Sequence, residues 1–120
     1  MTVKIYGIKN CSTMKKAFDW LTAEGIEFQF HDYKKEGAPE KRVRQWIKTL
    51  GWEVVINKRG TTWKKLPEAE REAMNAESAV QAALANPSLI KRPIIEQGTI
   101  LLAGFDSAQW QQSLKAANAK

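Results

Sequence analysis

The stretch Val3 to Tyr33, VKIYGIKNCSTMKKAFDWLTAEGIEFQFHDY, decides the fold. Val3-Lys4-Ile5-Tyr6 alternates apolar and polar, which reads as a strand ending at Gly7. Ile8 to Ser12 forms a short connection. Met14, Ala17, Phe18 and Leu21 then recur at i, i+3, i+4 and i+7, so one face of a helix from about Thr13 to Ala23 is apolar. Gly25 sits where such a helix stops. Glu27 to Tyr33 alternates again, with Phe28 and Phe30 on one face. Strand, helix and strand within about 30 residues make a βαβ unit, whose strands run parallel through a right-handed crossover.

Downstream, the pattern turns helical. Pro39 suits a first helical turn. Val43, Trp46, Ile47 and Leu50 carry an apolar stripe up to Gly51. Pro67 opens a short acid-rich helix, and Asn75 is an N-cap for another that Asn86-Pro87 ends. Asn57 to Thr62 reads as irregular. Pro93 to Glu96 and Thr99 to Ala103 are strand-like, and Gln97-Gly98 between them reads as a tight hairpin. Asp106 or Ser107 caps a last helix bearing Trp110 and Leu114. The expected fold is α/β: one domain over residues 1–120, βαβ then ββα, with a helical insertion at about 37–88. A mixed four-stranded sheet with flanking helices buries all these stripes together.

The chain has 120 residues, 43% hydrophobic and 27% charged, with one cysteine. That composition excludes disordered and fibrous classes. No apolar run approaches the roughly 18 residues of a membrane span. The N-terminus lacks a signal-peptide plan, and the lone cysteine excludes an internal disulfide, so a cytoplasmic protein is expected. The net charge of +6 is concentrated at residues 34–65, where ten Lys and Arg face three Glu. Such a segment suits an anionic ligand, an acidic partner or nucleic acid, or is simply a solvated helix surface.

Cys11 follows a strand and precedes a helix. There it meets unpaired N–H groups and the positive end of the helix dipole, and Lys9, Lys15 and Lys16 are near in sequence. These favour a reactive thiolate over an inert buried thiol. Position 14 is Met, so there is no CxxC, and a resolving thiol must come from elsewhere. Ser12 and Thr13 can hydrogen-bond the thiolate or cap the helix. Arg92-Pro93 opens a strand, and a cis bond there would present the Arg92 guanidinium to an anion, although a trans bond is the usual case. The loop Asn57-Lys58-Arg59-Gly60-Thr61-Thr62-Trp63 combines cations, hydroxyls and an aromatic ring, which suits a carboxylate or phosphate. His31, the one histidine, reads as structural or exposed. The acids form no metal-ligand spacing.

Taken together, Tyr6-Gly7, Asn10-Cys11, Thr13-Met14-Lys15-Lys16-Ala17, Asn57-Lys58-Arg59-Gly60 and Leu89-Ile90-Lys91-Arg92-Pro93-Ile94 resemble the ArsC-like branch of the thioredoxin superfamily. That is the arsenate reductase/Spx/MgsR family, and the chain is nearest to its YffB group. The resemblance spans essentially the whole chain. It implies a thioredoxin-like fold, Cys11 as the reactive thiol, Pro93 as a cis-proline and Arg92 as the arginine that holds an anion beside the thiol. Cys11 and Arg92 are thus the expected catalytic residues, with Lys9, Asn10, Ser12, Thr13, Arg59 and Pro93 binding the ligand. Arsenate reductases of this type carry a further arginine after the last strand, where this chain has Ala103-Gly104-Phe105. Arsenate reduction is therefore the weakest reading. The leading one is a monothiol oxidoreductase that reduces disulfides with glutathione or another small thiol as co-substrate, and it needs no bound cofactor or metal. A protein disulfide is a candidate substrate, and neither membrane nor nucleic acid is an expected partner. The alternative is an Spx-like adaptor that binds RNA polymerase or another acidic partner through the basic middle.

Overall fold

The computed structural model describes residues 2–118. In chain order it contains β1 (Val3–Gly7), α1 (Ser12–Ala23), β2 (Phe28–Asp32), α2 (Tyr33–Glu36), α3 (Glu40–Leu50), α4 (Trp52–Val55), α5 (Thr61–Lys64), α6 (Glu68–Glu72), α7 (Ala76–Ala85), a 3₁₀ turn (Pro87–Leu89), β3 (Ile94–Gln97), β4 (Ile100–Ala103), α8 (Ser107–Trp110), a π-helical turn (Gln111–Lys115) and α9 (Ala116–Asn118). These residues form two compact units. One contains the chain up to Asp32 and from Arg92 onward, and the other is Tyr33–Lys91. The second includes the segment 37–88 that the sequence marks as a helical insertion.

The first unit is built on a four-stranded sheet in the order β2-β1-β3-β4. β1 runs parallel to β2, with Ile5 opposite Phe30, and antiparallel to β3, with Ile5 opposite Ile95. β3 and β4 form an antiparallel hairpin, with Ile95 opposite Leu102. Because side chains alternate along a strand, Val3, Ile5, Ile95 and Leu102 share one face. That face packs with Met14, Ala17 and Leu21 of α1 and with Trp110 and Leu114 of the C-terminal helical turns in one core. Trp110 is fully buried, with Phe105 and Trp20 edge-on to it and its indole N–H donating to the Gly104 carbonyl at 3.2 Å. The opposite face carries Tyr6, whose ring stacks on His31 at 4.9 Å and whose hydroxyl donates to Glu96 Oε1 at 2.8 Å. Asp106 caps α8 by accepting from the Ala108 and Gln109 N–H groups, as the sequence suggests.

Several boundaries differ by a residue from the sequence reading, and two of them change the local structure. The second strand stops at Asp32, and Tyr33 begins a helical turn. The hairpin turn is Gly98-Thr99, one residue later than Gln97-Gly98, because Gln97 pairs with Ile100. Gly98 has φ 60° and, among the described residues, no non-glycine has positive φ, which matches a type II′ turn with glycine at its first central position.

In the second unit, α3 buries Val43, Trp46 and Ile47 and packs against α7, which buries Ala79, Val80 and Ala83. Arg44 spans the two helices with a bidentate pair to Glu77 at 2.8 and 3.2 Å, and also bonds Glu40 at 3.0 Å. Asn75 caps α7 in a reciprocal box with Ser78. The segment expected to be irregular is partly helical, since Thr61 and Thr62 open α5. Lys58 lies over both Trp52 and Trp63, at 5.4 and 5.9 Å from the ring centroids. Among the described residues no helix is long and apolar enough to cross a membrane.

Candidate active site

β1 delivers the chain to Gly7, and two residues later it bends. The Cys11 N–H donates to the Lys9 carbonyl at 3.2 Å. Cys11 is then extended, with φ −148° and ψ 132°, and is the N-cap of α1; its carbonyl accepts the Lys15 N–H at 3.0 Å. An N-cap side chain is aimed at the free N–H groups of the first turn. No side-chain cap of strict hydrogen-bond geometry forms at the sulfur. The thiol nevertheless lies below its ordinary value of 9.0. Partial burial is the largest single influence and opposes ionisation; the Met14 and Thr13 N–H groups and then Arg92, by charge and by hydrogen bonding, together outweigh it.

Arg92 reaches this sulfur because of the sheet register. Tyr6 of β1 pairs with Ile94 of β3, so the residues just before β3 lie at the strand end from which Cys11 emerges. The Arg92–Pro93 peptide bond is cis. The Pro93 carbonyl accepts the Gly104 N–H at 2.8 Å, which extends the hairpin pairing by one step.

A cleft of about 480 Å³ opens at Cys11, lined by Lys9, Asn10, Ser12, Lys15, Phe18 and Asp19. Of the residues expected from sequence, Lys9, Asn10 and Ser12 line it, Thr13 serves through its main chain, and Arg92 and Pro93 meet at the strand end. Arg59 lies in the other compact unit, where its N–H donates to Asn57 Oδ1 at 3.2 Å. Phe18 and Asp19 were not in the expected set, and Lys15, expected only as a cation near Cys11, lines the cleft in an exposed pair with Asp19 at 2.8 Å. Their signal was spacing: Lys15 and Phe18 follow Cys11 by four and seven residues, which is one helix face. Met14, where a CxxC motif would place its second cysteine, is fully buried. Among the described residues no cluster of His, Cys, Asp and Glu could hold a metal ion.

Residues 6–113 match the model of the ArsC family. The chain belongs to the ArsC family. A solved YFFB protein is 42% identical, covers 94% of this chain and 99% of its own, and superposes with a TM-score of 0.90. An arsenate reductase (ArsC) related protein from Brucella melitensis is 49% identical over 96% of each chain, with a TM-score of 0.78. More distant ArsC-family relatives include the regulatory protein MgsR of Bacillus subtilis, 25% identical over 87% of this chain and 83% of its own. The mixed sheet with flanking helices is the thioredoxin-like fold of these ArsC neighbours.

Proposed function

We propose that this ArsC-family chain is a cytoplasmic monothiol oxidoreductase that reduces disulfides with glutathione. The observation that carries the reading is a thiol held below its ordinary acidity range by two main-chain N–H groups and Arg92, in a chain with no second cysteine. The Cys11 thiolate attacks one sulfur of a disulfide, forming a Cys11 mixed disulfide and releasing the other sulfur as a thiolate that takes a proton from water. With a glutathione mixed disulfide as substrate, Cys11 carries the glutathionyl group. A second glutathione thiolate then attacks that group. Oxidised glutathione leaves, and the Cys11 thiolate returns. Arg92 neutralises the charge that develops on sulfur in both steps, and Lys9 and Lys15 on the cleft rim suit glutathione's carboxylates. Arsenate reduction ranks below it, because Gly104 is committed to the Pro93 carbonyl and Phe105 to Trp110, with no cation there.

A second reading rests on charge. Lys41 and Lys48 are exposed on α3, opposite its buried stripe, and one relative is named a regulator. On this reading the chain is an adaptor for an acidic partner such as RNA polymerase. Mass spectrometry after exposure to oxidised glutathione, with a glutathione-coupled disulfide reduction assay, tests the first reading. Cys11 should gain one glutathionyl group and Cys11→Ser should lose all turnover. A wild-type protein that neither accepts glutathione nor turns over would overturn it.

A further inference from the structure

Gly7 closes β1, and its backbone does not explain why it is glycine. Its φ lies outside the left-handed region, unlike those of Gly25, Gly37, Gly51, Gly98 and Gly104. Any residue could adopt this conformation. The reason is steric. A Cβ built on Gly7 would lie 2.6 Å from Met14 Sδ and 2.8 Å from Met14 Cε, well inside van der Waals contact. Relief would have to come from the Met14 thioether, which would then repack inside the core. The Met14 side chain is fully buried among Val3, Ile5, Ala17 and Leu21, which are also fully buried. An unbranched thioether fills irregular gaps well, and here it occupies the space that the missing Cβ leaves.

Met14 is also the third residue of α1, and its own N–H is one of the two that face the Cys11 sulfur. The depth at which its side chain seats on β1 therefore sets where that N–H lies. We propose that the Gly7–Met14 interlock is a positioning device that fixes the first turn of α1 against the end of β1, and so fixes the N–H groups that cradle the reactive sulfur. Neither residue is catalytic; both act through the main chain of that turn. The inference rests on Cys11 as the working thiol of the proposed oxidoreductase. It also explains the residue at position 14: the side chain there is committed inward, to β1, rather than to redox exchange with Cys11.

The test is a pH titration of thiolate absorbance in Gly7→Ala, Met14→Ala, the double variant and Leu114→Ala, with Cys11→Ser as the blank and thermal melting to confirm folding. Both single variants retain the main-chain N–H at position 14, so any shift reports where that group lies. Each should raise the Cys11 midpoint by about half a unit or more, which slows alkylation at a fixed pH below the midpoint about threefold. The double variant should rise by less than the two together, because the methyl group added at position 7 refills space that the thioether vacated. Leu114→Ala truncates the same core away from the first turn and should lower the melting temperature with the midpoint unmoved. If Gly7→Ala fails to fold, Met14→Ala carries the test alone. A folded single variant with the wild-type midpoint would overturn the proposal, and so would an equal rise in Leu114→Ala. Because the readout is the thiol itself, a wild type inactive with glutathione but shifted as expected in the variants would overturn the glutathione reading and leave the interlock standing.

Discussion

The sheet unit and the helical unit put their polar groups to different uses. Residues Tyr33–Lys91 hold twelve of the 19 Lys and Arg and seven of the 13 acids, mostly on solvated helix faces. The sheet unit is nearly balanced, yet it holds Cys11, Arg92 and the cis bond to Pro93. Chemistry on a thiol requires main-chain groups fixed to a fraction of an ångström, and a strand end meeting a helix start supplies them. Charge requires only exposure. Concentration of charge therefore says little about where the candidate thiol lies.

The largest expected effect breaks this contrast if it falls in the wrong unit. Cys11→Ser should abolish glutathione-coupled turnover, whereas reversing charge at Lys41, Arg42 and Lys48 together should leave it within about twofold at physiological salt. Turnover lost in the charge-reversed protein and kept in Cys11→Ser would invert the assignment.

Next in size are two fully buried tryptophans, one from each unit. Trp110→Ala and Trp46→Ala should each cost about 3–5 kcal/mol in urea unfolding, since both are fully buried. A cost below about 1 kcal/mol at either position would mean that its unit is looser than its packing implies.

Arg92 tests the contrast within the sheet unit. Arg92→Ala should weaken a bound anionic thiol by about 1.5–3 kcal/mol in calorimetry, and move the pH profile of Cys11 alkylation upward. Arg92→Lys should recover only part, because a point charge lacks the planar fork. An unchanged alkylation profile in Arg92→Ala would remove Arg92 from the site.

The smallest effects are in pH-dependent stability. Cys11 has its folded midpoint below its unfolded one, so it stabilises the fold above about 9.0 and loses that contribution as pH falls through the folded value. The melting difference between wild type and Cys11→Ser should shrink in that direction. Glu77, held down to about 2 mainly by its hydrogen bonds with Arg44, follows the same sign at lower pH. Its contribution is complete above 4.5 and fades as pH drops toward 2. Glu77→Gln should lower the melting temperature slightly at neutral pH, and less as salt is added, because the pair is exposed.

Much of the fold was legible because its signals are local. The alternation of Val3 to Tyr6 and the stripe of Met14, Ala17 and Leu21 each report one buried face. Asn75 and Asp106 were readable as caps because their partners lie two or three residues away. The short helices α2, α4 and α5 were not legible, since four residues are too few to display a 3.6-residue period. The hairpin turn was misplaced by one residue because strand pairing, rather than the glycine alone, sets the register. In the candidate site, Lys9, Asn10, Ser12 and Thr13 were legible from their adjacency to Cys11. Phe18 reads from sequence as part of the core stripe; its spacing of seven puts it on the Cys11 face of the helix, but spacing does not say that this flank stays open to a cleft.

Residue identity and local spacing were enough for the order βαβ, helices, ββα, for the placement of the one thiol at a helix start, and for the absence of a second thiol to resolve it. The first two depend on patterns spanning about seven residues or fewer, and the third is a count over the sequence. Folding in three dimensions was needed to bring Arg92, 81 positions away, beside that thiol, because β3 pairs with β1 through Tyr6 and Ile94. It was needed also to set Met14 against Gly7, because the close approach of the thioether to position 7 exists only once α1 has folded back onto β1. Contacts of that kind are properties of packing, and no local pattern encodes which side chain will fill a given gap.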